Sequence, residues 1–96
     1  MPIEITTSPA LTQVKISGGC TIFDAADLRQ QLLPLVTACT PVVVDLAEIT
    51  EIDTAGLQVL LALQKQCALA LFSRPSPAMQ TALDLLNLNR CFSIEA

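Results

Sequence analysis

The stretch from Val42 to Leu63 constrains the fold more than any other part of the chain. Val42-Val43-Val44-Asp45-Leu46 is a β-branched run without alternation, which marks a central strand covered on both faces. A short connection through Ile49 to Ile52 leads to Asp53-Thr54-Ala55-Gly56-Leu57, which opens a helix from about Thr54 to Cys67. A helix start leaves amide N–H groups unpaired and carries partial positive charge, so it favours carboxylates, N-capping hydroxyls and phosphate. Thr54 is therefore placed either to cap this helix or to carry a phosphate, and the same amides serve both roles. Asp53 complements the helix dipole, and would repel a phosphate on its neighbour.

The flanking segments supply a sheet and two more helices. Ile3 and Ile5, then Thr12, Val14 and Ile16, alternate with polar residues on either side of the Ser8-Pro9 break, as a starting hairpin does. Asp24 reads as the N-cap of a helix burying Ala25, Leu28, Leu32, Leu35 and Val36. Pro34 inside that pattern costs ~3 kcal/mol unless the helix kinks or ends early. Ala68 to Phe72 is a second continuous apolar strand. Ser76-Pro77 pairs an N-cap with proline at the first helical position, before a stripe of Met79, Ala82, Leu83 and Leu86. Asn87 to Asn89 end that helix ahead of a last strand, Phe92 to Ile94. Repeated strand-helix-strand units predict an α/β fold with a mixed sheet of about five strands, its inner part largely parallel, and about three to four packed helices. Residues 1–96 form one domain, since a chain of this length has no room for a second core.

Composition removes several classes of function. Five Lys and Arg stand against nine Asp and Glu, and the cations are scattered, which argues against a nucleic-acid surface. The chain has no His, and Cys20, Cys39, Cys67 and Cys91 lie far apart, so neither a metal site nor a cofactor is expected. The cysteines read as reduced thiols acting as small hydrophobes. With no basic segment followed by an apolar signal core, and no apolar run near the ~18 residues needed to cross a bilayer, a cytoplasmic protein without membrane insertion is expected. Asp45, at the end of its apolar run, reads as a loop-holding residue.

Residues Val44-Asp45-Leu46, the gap, and Ile52-Asp53-Thr54-Ala55-Gly56-Leu57 resemble the pattern of the STAS domain, the fold of anti-sigma-factor antagonists and of modules in sulfate transporters and lipid-transport complexes. The resemblance covers nearly the whole chain. It implies the STAS fold and places on Thr54 the hydroxyl that a partner kinase phosphorylates in antagonists. Gly18-Gly19-Cys20-Thr21 resembles a family loop that usually reads Gly, Glu, Leu and then Asp or Thr, so Gly19 stands at the Glu position. Ala55 stands where a second Ser is frequent.

On a helical wheel Thr54, Gln58, Ala62 and Lys65 share one face with Leu61 at its edge, while Gly56, Leu60, Leu63 and Cys67 point inward. Gly56 either lets a neighbouring element pack closely or receives a partner's backbone. With the family resemblance, the expected partner interface is Thr21, Phe23, Asp24, Asp53, Thr54, Ala55, Gly56, Gln58, Leu61 and Lys65. The resemblance implies a non-catalytic antagonist, a monomer or weak dimer, that docks a GHKL-type serine/threonine kinase or anti-sigma protein and is switched at Thr54. Alternatives are a small STAS subunit binding the ATPase of a lipid-transport ABC complex, and a chemotaxis-associated regulator. An enzyme or nucleotide-binding domain is a third class, poorly provided for by a chain without His, Walker loop or Gly-x-Gly-x-x-Gly.

Overall fold

A computed structural model describes residues 3–37, 41–67 and 69–94. β1 (Ile3–Thr7) and β2 (Thr12–Cys20) form the expected hairpin, closed by reciprocal backbone bonds between Ser8 and Leu11. α1 (Ile22–Thr37), β3 (Val42–Ile52), α2 (Thr54–Gln66), β4 (Ala70–Ser73) and α3 (Pro77–Leu85) follow, with a 3-10 turn at Asn89–Cys91. The sheet runs in the order β1-β2-β3-β4, antiparallel at β1 and parallel across β2, β3 and β4. The parallel inner part follows from the two helical crossovers.

β3 differs from its expected form in two ways. It is one strand of 11 residues, because β2 continues to pair with it beyond Leu46, matching Ser17 with Glu48 and Cys20 with Ile52. Register shifts between Lys15 and Ser17, and again between Gly18 and Gly19, each insert an extra β3 residue. That is how Leu46 and Ile49, three apart, both reach the core. Asp45 accepts the Ala47 amide at 3.0 Å beside the first bulge, and Gly18, at φ 80°, supplies at the second a backbone region that favours glycine. Nor is β3 covered on both faces. Val42, Val44 and Leu46 are buried, whereas Val43, Asp45 and Ala47 are half-buried on a polar face bearing the Lys15–Glu48 and Arg74–Asp45 ion pairs. The sheet leaves this side to charged and polar groups because the helices pack on the other.

The core therefore lies between one sheet face and three helices. Phe72, Ile16, Leu28, Leu46, Leu60, Met79 and Leu83 are fully buried there, each worth ~1.5–3 kcal/mol relative to exposure. α1 packs on β2, α3 on β3 and α2 on β4, with α1 lying along α2. Ser76 caps α3 as expected, its hydroxyl accepting the Met79 amide at 3.1 Å. Met79 and Leu83 are buried, Ala82 is half-buried, and Leu86 is exposed just past the helix end.

Two ends of the chain correct the expectation. α1 begins at Ile22 and not after Asp24: the Thr21 hydroxyl accepts the Phe23 amide, and the Asp24 carboxylate reaches back to the Thr21 amide and hydroxyl. This reciprocal capping places Asp24 in the first turn. α1 also runs past Pro34 to Thr37, with Pro34 on its exposed side. The expected last strand is a single parallel bridge between Phe72 and Ile94, because β4 is only four residues long and Asn89–Cys91 coils ahead of it. The tail is fixed instead by the Phe72 amide on the Ser93 carbonyl and by an edge-to-face contact of Phe72 with Phe92. Cys20 and Cys67 are buried free thiols and Cys91 is exposed, while Cys39 and Ala68 lie outside the described residues.

The first turn of α2 is seated directly on the end of β2. A Cβ on Gly56 would stand 2.1 Å from the Cys20 carbonyl oxygen and 2.8 Å from its sulfur. Gly56 is thus the close-packing glycine, and the neighbour is the chain's own backbone. Gly56→Ala is expected to destabilise the fold by about 1–3 kcal/mol, as overpacked sites do. The helix-propensity gain of ~1 kcal/mol cannot restore a contact against backbone. Urea unfolding followed by circular dichroism tests this, and a variant as stable as wild type would refute the close approach.

Candidate functional site

Two helix starts meet at one carboxylate. Asp53 is the N-cap of α2, with extended backbone, and its Oδ1 accepts the Gly56 amide at 3.0 Å. Its Oδ2 accepts the amide of Ile22, the first residue of α1, at 2.9 Å. The Asp53 amide donates to the Cys20 carbonyl at 3.3 Å, and the Asp53 carbonyl accepts the Leu57 amide at 3.0 Å. The Gly56 amide first, and then the Ile22 amide, hold the Asp53 carboxyl below the usual carboxylate range. The cap is therefore Asp53 and not Thr54, because the residue before the helix has the extended backbone that aims a side chain at the third amide.

Thr54 occupies the first helical position, exposed, and its hydroxyl makes no hydrogen bond with another described residue. Next to it, Ile22 is 66% exposed and Phe23 is 94% exposed. The two form an apolar tip at the start of α1 beside this hydroxyl. Phe23 is among the expected interface residues and Ile22 is not; its signal in the sequence is its place between Thr21, the cap, and Asp24.

Several expected site residues gather here and others do not. Thr21, Phe23, Asp24, Asp53, Thr54 and half-buried Ala55 lie about the two helix starts. Gln58 is exposed one turn further along α2. Gly56 is buried beneath Cys20 and offers a partner no surface. Leu61 is half-buried and packs against the core, and exposed Lys65 lies about 16 Å along the helix from Thr54 at 1.5 Å per residue. At Gly19, a Cβ would stand 3.5 Å from Asp24 Oδ2 and 3.9 Å from Glu51 Oε2. Two carboxylates, of Asp24 and Glu51, thus lie beside Gly19.

The chemistry available is narrow. Burial first, then the Asp24 and Asp53 charges, push the Cys20 thiol up to about 12, so it stays protonated and is no nucleophile at neutral pH. Among the described residues no three His, Cys, Asp or Glu side chains gather as a metal site, and no helix is long and apolar enough to cross a membrane. What the arrangement does offer is a hydroxyl, an apolar tip and a carboxylate already engaged by backbone.

Because the folded Asp53 value is depressed, its contribution is complete above the unfolded carboxyl pKa of ~3.9 and is lost as pH falls through the depressed value. Asp53→Ala is expected to unfold at lower urea than wild type at pH 7, with the gap closing at pH values below about 4. Asp45 and Asp84 also carry depressed values, so the difference between the two proteins is the quantity to follow. A gap of constant size down to the acid transition would refute the role given to the ionised carboxylate.

The family model described as "Mlab, STAS domain" matches residues 3–95. No curated protein matches the chain. Among solved structures, an anti-sigma factor antagonist from Mycobacterium paratuberculosis shares 21% identity at a TM-score of 0.86, over 97% of this chain and 83% of that one. A Thermotoga maritima protein proposed as an anti-sigma factor antagonist shares 15% identity at a TM-score of 0.81, over 96% and 84%. The Bacillus cell fate determinant SpoIIAA, in its phosphorylated form, shares 10% identity at a TM-score of 0.72, over 99% and 92%. At such identities the likeness to these structures is one of fold. With a parallel inner sheet, three helices on one face and a family model spanning residues 3–95, the chain belongs to the STAS-domain family.

Proposed function

We propose that this chain is a non-catalytic interaction module of the anti-sigma-factor-antagonist kind, which docks a GHKL-type serine/threonine kinase or anti-sigma protein and is released by phosphorylation of Thr54. The observation that carries this reading is the exposed, unbonded hydroxyl at the first position of α2, set beside the apolar tip of Ile22 and Phe23. A hydroxyl that caps nothing is free for modification, and an apolar tip beside it provides area for a partner to cover. Fold neighbours described as anti-sigma factor antagonists, one of them in a phosphorylated form, support it.

The way phosphate would act follows from the engaged cap. The Gly56 and Leu57 amides are already taken by the carboxylate and carbonyl of Asp53. A phosphate on Thr54 would find these donors occupied and would remain at the surface, adding about −1.5 to −2 charges to an uncharged stretch of Thr54, Ala55 and Gln58. Beside Asp53 it would also meet like charge. The change is thus in the docking surface, with the fold retained.

A second reading is favoured by the family model's own description, "Mlab, STAS domain". In it the same face binds the ATPase of a lipid-transport ABC complex, and Thr54 acts by contact alone. Both readings use the protein as a binding surface, and the fate of Thr54 separates them.

With a GHKL-type kinase from the same genome and labelled ATP, wild type is expected to take up phosphate and Thr54→Ala none. Thr54→Glu is expected to bind that kinase at least about tenfold more weakly, the equivalent of ~1.4 kcal/mol, while melting as wild type does. Equal labelling of wild type and Thr54→Ala would reject the site. Recovery with an ABC ATPase and an unlabelled Thr54 would establish the second reading.

A further inference from the structure

We infer that the groove between α1 and α2 seats an amphipathic helix of the docking partner, with one carboxylate of that helix against Arg29; this rests on the docking reading above. The groove has a volume of about 390 Å³ and, among the described residues, is walled by these two helices. On α2 it is lined by Ala55, Val59, Ala62 and Gln66, spaced four, three and four residues apart, which is one continuous helical stripe. On α1 the corresponding stripe holds Ala25, Arg29, Leu33 and Val36. Asp53 ties the first turns of both helices together, so the stripes set off side by side from one point.

This geometry suits a third helix. From Ala55 to Gln66 the groove runs about 16 Å, or three turns, at 1.5 Å per residue. Alanines at intervals along it let another backbone approach closely, and Leu33, 53% exposed, stands as an uncovered apolar wall. A helix laid in such a trough would place side chains at i, i+3, i+4 and i+7 between the two stripes. The long, open shape provides less enclosure than a small ligand needs, since ligand sites bury most of their occupant.

Charge narrows the occupant further. Among the described residues Arg29 is the one charged residue lining the groove; it is exposed and makes no ion pair or hydrogen bond with another of them. In a chain of net charge −4 a free cation at an apolar trough selects for a carboxylate on whatever lies there. The groove also opens at Ala55, next to Thr54, so its occupant would be continuous with a partner docked on the two helix starts.

The test uses the full chain and the purified GHKL-type kinase, with affinities measured by titration calorimetry. Ala62→Glu, two turns from Thr54 on an exposed position, and Arg29→Glu are each expected to weaken binding at least tenfold. Arg29→Lys should keep most of the affinity, Gln13→Lys on the opposite sheet face should keep all of it, and all four should melt as wild type does. If Thr54→Glu loses binding while Ala62→Glu and Arg29→Glu bind as wild type, the groove is not the seat and the docking reading stands. If wild type itself does not bind the kinase, the docking reading falls and this inference with it. Stoichiometric binding of decanoate that Arg29→Glu abolishes, or a wild-type dimer that Ala62→Glu dissociates, would overturn the choice of occupant.

Discussion

The carboxylate of Asp53 is where the separate parts of this structure are joined. Its two oxygens take one amide from α2 and one from α1, and its own amide reaches the carbonyl at the end of β2. Two helix N-termini brought together place two partial positive charges side by side, which is unfavourable unless a negative group lies between them. An ionised carboxylate answers both at once. The depressed proton affinity of Asp53 is the same fact seen from the side of the proton, since each amide bond favours the charged form. Gly56 completes the junction by letting the α2 turn close on Cys20 without a side chain between them.

That junction also sets which groups about it are left facing outward. The Gly56 and Ile22 amides are engaged by the Asp53 carboxylate, and the nearest thiol is kept protonated by burial and by two neighbouring carboxylates. With these groups satisfied, what faces outward is Thr54, Ile22 and Phe23. A surface of one hydroxyl and two apolar side chains has little means of moving protons, but it supplies area that a partner can desolvate.

Much of this was legible in the sequence, and the departures have physical causes. The strand-helix order as far as α3, the parallel inner sheet, the extent of α2 and the Ser76-Pro77 cap followed from periodicity and capping chemistry, which act locally. The length of β3 did not, because bulges are set by pairing with β2 and leave no mark on β3 alone. Its open second face was hidden by a Val run that resembles a strand buried on both sides. At the site, Asp53 and Thr54 were recognised as a helix start, but which of them caps depends on the backbone angle of a single residue. The bond from Asp53 to Ile22 spans 31 positions and joins elements that sequence reading treats separately.

On the proposed reading, the relation between Asp53 and Thr54 also decides what kind of switch this turn can be. Were Thr54 the cap, a phosphate there would replace a hydroxyl in its own hydrogen bond and be drawn against the helix amides, tightening the turn. With Asp53 as the cap, that position is filled by a group that already carries the charge. On the proposed reading the phosphate stands one step further on, at Thr54, beside the Asp53 carboxylate. A partner lying over Ile22, Phe23 and Ala55 would then have to bury a dianion without a counter-charge, and desolvating such a group costs more than the apolar contact returns. On the proposed reading, the sequence Asp-Thr therefore divides the labour at this helix start: the acid holds the fold together in every state, and the hydroxyl is left free to change the surface.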